Sequence, residues 1–214
     1  MTGGERMPQP LEIVLATHNA HKVEEFQHIL GEHVPGVTVL PYDGPEPVED
    51  GTSFDDNAFI KARAAASHTG RIALADDSGI AVDVMGGAPG IFSARWAGPG
   101  RGAEANLELL LAQLSDIRDP HRTAHFHCTI ALVVPDAVGG APYEFAAVGT
   151  WPGRIATERA GVNGFGYDPI FVPDGFDVSA AELAPEVKNR HSHRARAFAA
   201  LLPELERIAA ARRD

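Results

Sequence analysis

Ile72-Ala73-Leu74-Ala75-Asp76-Asp77-Ser78-Gly79 is an apolar run that ends in two adjacent carboxylates. Residues 72–75 read as a short buried strand. Side chains alternate faces along a strand, so Asp76 and Asp77 point to opposite sides and only one of them can face a given site. Gly79 permits a sharp turn just beyond, and Ser78 adds a hydroxyl donor. The carboxylates would then lie at a strand mouth, where open sheets place ligands, in a position suited to a divalent cation. The same residue types are common in solvated turns, so the other segments must decide.

Working back toward the N-terminus, Leu11-Glu12-Ile13-Val14-Leu15-Ala16 is a second strand candidate that stops at Thr17-His18-Asn19-Ala20-His21-Lys22. Val23, Phe26, Ile29 and Leu30 follow at helical spacing. Asn19 is a good N-cap for that helix, and the amides around it offer an anion site to which Thr17 can also donate. Lys22 is unusual there, because a cation in the first turn opposes the helix macrodipole and costs about 0.3–1 kcal/mol. A bound phosphate would neutralise both. The segment is not a Walker loop, which requires G-x-x-x-x-G-K-[ST], so it does not by itself specify a nucleotide.

Between the two strands, Ser53 and Asp56 form a capping arrangement ahead of an Ala-rich helical stretch that reaches about Ser67. Glu49, in the acidic and proline-rich loop before it, could join Asp77 in a Mg²⁺ site, since that ion takes one or two protein carboxylates plus water and phosphate oxygens. Asp76 is a further candidate ligand. Lys61 is either a phosphate contact or a surface charge; spacing does not choose. Farther along, Gly164-Phe165-Gly166-Tyr167-Asp168-Pro169 sets an aromatic ring between two glycines, where its face can meet a flat ligand such as a purine. Asp168 could accept from a base or sugar, and Lys188, His193 and Arg194 could donate to phosphate or to a base carbonyl.

The remaining pattern supports an α/β fold. Residues 80–84 extend the sheet, 86–102 form a glycine-rich connection, and 103–114 have helical spacing. Residues 122–134 and 143–151 read as two longer strands, and the 135–142 loop between them suits an antiparallel pair, which makes the sheet mixed. Residues 192–211 read as helix, bent or divided at Pro203.

With 214 residues the chain can bury one good core, and its formal charge of −11 argues against a nucleic-acid polymer as partner. A few focused cations can still bind one nucleotide. The single cysteine, Cys128, excludes an intrachain disulfide. On a strand, His125 and His127 share one face and Cys128 takes the other, which disfavours a zinc cluster, and the apolar run after Cys128 suggests that it packs. No long apolar segment suggests a membrane span, and the polar N-terminus lacks a signal-peptide core, so a cytoplasmic location is expected.

Taken in order, these segments resemble the Ham1-like inosine triphosphate pyrophosphatases. The resemblance rests on Thr17-x-Asn19-x-x-Lys22, Glu49-Asp50-Gly51-x-Ser53-Phe54, Asn57-Ala58 with Lys61-Ala62, Ala75-Asp76-Asp77-Ser78-Gly79 and Gly86-Gly87-Ala88-Pro89-Gly90-Ile91. It continues through Phe165-Gly166-Tyr167-Asp168-Pro169-Ile170-Phe171, Ala181-Glu182-Leu183, Lys188-Asn189 and Ser192-His193-Arg194. It implies an elongated mixed sheet flanked by helices, two lobes with a substrate cleft between them, and a homodimer. Residues 11–214 would be one domain, preceded by an extension over 1–10. The implied reaction is Mg²⁺-dependent hydrolysis of dITP, ITP or XTP to the monophosphate and pyrophosphate, with Asp77 catalytic and Asp77, Glu49 and Asp76 near the metal. Thr17, His18, Asn19, Ala20, His21, Lys22, Lys61, Ser78, Phe165, Gly166, Tyr167, Asp168, Lys188, His193 and Arg194 would bind the substrate. His18 and His21 stand where the family often has small residues. The competing readings are a purine-nucleotide-binding protein without turnover, and a Maf-like or dUTP-type pyrophosphatase with another base preference.

Overall fold

The computed structural model describes residues 11–136 and 141–211. The extension over 1–10 and the middle of the 135–142 connection lie outside the described residues. Leu11–Leu15 (β1) pairs in parallel with Val37–Pro41 (β2) on one side and with Ile72–Val82 (β3) on the other. Thr123–Val134 (β4), Tyr143–Ile155 (β5) and Phe171–Pro173 (β6) continue the sheet antiparallel, in the order β2-β1-β3-β4-β5-β6. The sheet is therefore mixed, and helices flank it. These are Ala20–His33 (α1), Phe54–Thr69 (α2), Gly102–Gln113 (α3), Pro185–His191 (α4) and His193–Ala211 (α5).

Alternation along β3 assigns each helix its face. Ile72 and Leu74 pack with Phe26 and Leu30 of α1 and with Phe198, Leu201 and Leu205 of α5. Ala73 and Ala75 pack with Ala58, Ala62, Ala65 and Ala66 of α2. The small side chains on both partners give α2 an apolar stripe of alanines instead of branched residues. Continued by two residues, the same alternation carries Asp76 to the α1/α5 face and Asp77 to the α2 face. Another core cluster, with Ile80, Val82, Leu107, Leu110, Trp151 and Phe171, fills the end of the sheet near α3.

Two local expectations are corrected. The chain does not turn at Gly79, because β3 continues to Val82 and Gly79 lies opposite His127 of β4. The glycine serves close packing instead: a Cβ there would lie 2.4 Å from Ser93 Oγ and 2.6 Å from the Gly90 carbonyl oxygen. Gly79→Ala should therefore destabilise the fold by about 1–3 kcal/mol, the usual scale of overpacking, read as a lower denaturant midpoint at unchanged slope. Pro203 neither ends nor divides α5, which runs through it. The proline is exposed while Leu201 and Leu205 on either side are buried, so packing of the apolar face outweighs one lost hydrogen bond. The strand β6 of three residues and the helix α4 of seven are too short for periodicity to assign them, and β2, whose Val37-Thr38-Val39 does alternate, is missed by sequence reasoning.

Candidate active site

Strand β1 ends at Leu15, opposite Leu74, and the last bond on that edge runs from Ala16 N to the Leu74 oxygen at 2.8 Å. Strand β3 thus loses its parallel neighbour just before Asp76, which preserves the strand-mouth position even though β3 goes on. On the α1/α5 face, Lys22 Nζ donates to both oxygens of Asp76, at 2.8 and 2.9 Å. Arg194 Nη2 stands 3.9 Å from the same carboxylate, and its Nη1 reaches Glu25 at 3.5 Å. Burial alone would raise the Asp76 carboxyl, but the Lys22 and Arg194 cations outweigh it and hold it below the usual carboxylate range.

The unfavourable first-turn cation is met by a carboxylate from β3. Asn19 caps α1 as expected, its side-chain oxygen accepting from His21 N at 3.0 Å and Lys22 N at 3.4 Å. Thr17 Oγ1 accepts from Asn19 N at 3.2 Å and lines a cavity of about 210 Å³ with Lys22, Glu46, Glu49, Lys61 and Asp76. Ala20 and His21 are exposed and line neither this cavity nor the larger one described below.

On the α2 face, Lys61 Nζ lies 3.3 Å from Asp77 and 3.3 Å from Glu49, joining the two carboxylates. Burial pushes the Asp77 carboxyl up, Lys61 opposes it, and Glu49 adds to the rise. Asp77 Oδ2 is buried without a hydrogen-bond partner, as is Asn57 Nδ2. Among the described residues no three His, Cys, Asp or Glu side chains converge as a ready metal cage. A pair of hard oxygen donors with one orphaned oxygen and a cation already between them nevertheless fits Mg²⁺, which needs few protein ligands. Asp76 lies on the other face of the strand, where Lys22 and Arg194 answer it, and lines the smaller cavity with Glu49 and Lys61.

The larger cavity, about 570 Å³, opens between α1, α3 and the 164–168 and 188–195 segments. Phe165 is 79% exposed at its rim. The rest of its loop is fastened: Tyr167 is buried with its hydroxyl donating to the Ser93 oxygen at 2.8 Å, and buried Asp168 accepts from Phe165 N at 2.6 Å and from Lys188 Nζ at 2.5 Å. Asp168 and Lys188 thus fasten the loop, and both also line the larger cavity. Gly164 has φ of 74°, and a Cβ there would lie 2.2 Å from Asp168 Oδ2, so the glycine makes room for this staple. Gly166 and Ser78 line the same cavity.

His193 stacks on Phe126, with centroids 4.8 Å apart and planes 12° from parallel. Burial, helped by the Arg194 and Lys188 cations, lowers its pKa to about 3. It is a neutral ring, not the cationic donor that its neighbourhood in sequence suggests. His193 Nδ1 and Arg194 Nε are both buried without partners. Because the unfolded ring protonates near 6.5 and the folded ring near 3, stability is full above 6.5 and falls as pH drops through this window. His193→Phe, which keeps the stacking, should flatten the decline in melting temperature between pH 6.5 and 4.5.

Sequence reasoning misses Glu25, Asn57 and Ser93 as contributors. Glu25 follows Lys22 by three positions on α1 and so shares its face, a signal that periodicity does contain. Ser93 lies in an irregular glycine-rich segment with no such signal. Cys128 is fully buried, and burial pushes its thiol up to about 12, which makes it an inert core residue.

Fold and site together define an α/β protein with a charged cleft at the carboxyl end of its parallel strands, its cations drawn from α1, α2, α4 and α5. The chain belongs to the Ham1 family, whose profile matches residues 13–204. It is 63% identical over 199 residues to the dITP/XTP pyrophosphatase of Leifsonia xyli, covering 92% of this chain and 97% of that one. Identity to the dITP/XTP pyrophosphatase of Corynebacterium efficiens is 45%, over 93% and 99% of the two chains. The solved HAM1 protein of Coxiella burnetii superposes with a TM-score of 0.83 at 42% identity, covering 92% of this chain and 99% of that one.

Proposed function

We propose that this chain hydrolyses the non-standard purine nucleoside triphosphates dITP, ITP and XTP to the monophosphate and pyrophosphate. The observation that carries the reading is that Lys61, which lines the smaller cavity, joins Glu49 to Asp77, while Arg194, with a buried unpartnered donor, lines the larger one. The names of the relatives support the same substrates.

In this reading the phosphates occupy the smaller cavity. Thr17, Asn19, Lys22 and Lys61 grip them, and the four cations Lys22, Lys61, Lys188 and Arg194 offset the about four negative charges of a triphosphate. Asp77 orients the attacking water and accepts its proton, a role that suits a carboxyl raised by burial above its ordinary value. Glu49 and Asp77 would hold Mg²⁺, which when bound supplies positive charge against the developing phosphate charge. Asp76 contributes by fixing Lys22 and Arg194. In the larger cavity Phe165 stacks on the purine, while His193 and Arg194 face its C6 edge. A 6-carbonyl can accept from Arg194 Nε, whereas the amine of adenine would set donor against donor, a mismatch worth up to about 10⁴ in selectivity.

We further propose that residues 11–214 act as one domain in a cytoplasmic homodimer, with the cleft between two lobes; among the described residues no helix is long and apolar enough to cross a membrane. The deciding experiment is a Mg²⁺-dependent panel of dITP, ITP, XTP, dGTP, dATP and dUTP in which pyrophosphate is resolved from phosphate. Rapid pyrophosphate release from the inosine and xanthine nucleotides is expected. Preference for dUTP, or binding without turnover, would overturn the assignment.

A further inference from the structure

His18, which the family resemblance places among the substrate contacts, lines neither cavity, and its ring is held on three sides. Its Nε2 lies 3.0 Å from the Gly44 carbonyl oxygen, and its Nδ1 lies 3.2 Å from Glu46 Oε1. Its ring stacks on Tyr42, with centroids 5.8 Å apart and planes 9° from parallel. Tyr42 is itself buried and donates to the Pro45 oxygen at 3.0 Å. The segment so fastened runs into Glu49, and Tyr42, Glu46, Pro47 and Glu49 form one wall of the 210 Å³ cavity, with Lys22, Lys61 and Asp76 around it.

Both partners of the His18 ring are acceptors. A neutral imidazole has one N–H, so it can serve only one of them and turns a lone pair on the other; the imidazolium donates to both. We propose that His18 is a positioning residue whose ring fastens the 42–47 segment and thereby sets the cleft wall that carries Glu49. The catalytic consequence rests on the function proposed above, while the fastening itself does not.

The charged groups near the clamp are Glu46 on the ring and, beyond Tyr42, His68 of α2, which meets Tyr42 edge-on at 5.7 Å and stands 3.7 Å from Asp43. His68 is therefore the competing support of Tyr42 and supplies the control. Without the His18 imidazole its bonds to Gly44 and Glu46 are lost, the wall loosens, and the triphosphate is held less well.

Two measurements at a single pH test this. In the ligand-free protein, NMR order parameters of the Asp43, Gly44 and Glu46 amides should fall from the rigid level of about 0.85 toward about 0.6 in His18→Phe, which keeps only the stack, and should stay at the wild-type level in His68→Gln. In turnover of dITP, KM of His18→Phe should rise roughly two- to fivefold over the wild type, the scale of one exposed ion pair, and by a larger factor than kcat falls. Unchanged order parameters in His18→Phe, or an equal fall in His68→Gln, overturn the clamp. The expected order parameters with an unchanged KM overturn its positioning role. Absence of any turnover overturns the proposed function but leaves the NMR result to decide the clamp.

Discussion

Asp77→Asn should abolish pyrophosphate release from dITP, by a factor of about 10²–10⁴ in kcat, without lowering the melting temperature. The first half follows from the proposed role, since an amide cannot accept a proton from water and general-base catalysis is worth about that factor. The second half follows from the local electrostatics. Burial raises the Asp77 carboxyl and Lys61 only partly compensates, so the folded chain binds a proton at this position more readily than the unfolded chain. The sign is then fixed: the ionised side chain works against folding at neutral pH, and replacing it with a neutral isostere removes that penalty. Loss of activity with an unchanged or higher melting temperature at pH 7.5 separates a catalytic carboxylate from a structural one. An equal loss of stability and activity would place Asp77 in the framework instead.

Asp76→Ala should do the opposite at the adjacent position, lowering stability by about 3 kcal/mol, with activity lost as a consequence. Asp76 has a side chain only 5% exposed and answers two cations, Lys22 and Arg194. Removing the partner of a buried pair leaves charge uncompensated at a cost of about 3–5 kcal/mol. The lower end applies because the Lys22 side chain keeps 32% exposure and can turn to water. Asp76→Asn should cost less, since the amide oxygen still accepts from Lys22. Denaturant unfolding of both variants beside Asp77→Asn checks the contrast. If Asp76→Ala unfolds at the wild-type midpoint, the Lys22–Asp76–Arg194 cluster is not a structural element of the site.

These opposite expectations for neighbouring residues mark how much of the site is legible in the chain. Strand alternation alone assigns Asp76 and Asp77 to opposite faces, because the period of two is a property of extended backbone. Caps are equally local: Asn19 and Ser53 are legible because a cap bonds to amides two or three residues away, and both do so here. The strands β4 and β5 are legible as long alternating or apolar runs on either side of a breaker. By contrast β6 and α4 span three and seven residues, too few for a period to emerge. Gly79 misleads because glycine signals either a turn or a close approach, and the Ser93 and Gly90 atoms that make it the latter are remote in the chain.

The sequence by itself determined the family, the mixed α/β order and which polar side chains could carry chemistry, because residue type, capping and alternation act over a few positions. Only the tertiary structure decided how those side chains divide their labour. Lys22 meets Asp76 across 54 residues, Lys188 meets Asp168 across 20, and Lys61 joins Asp77 and Glu49. His193 is neutral because Phe126 and its surroundings bury it. A charge takes its meaning from the partner and the dielectric that packing brings to it, and neither is written in the local chain.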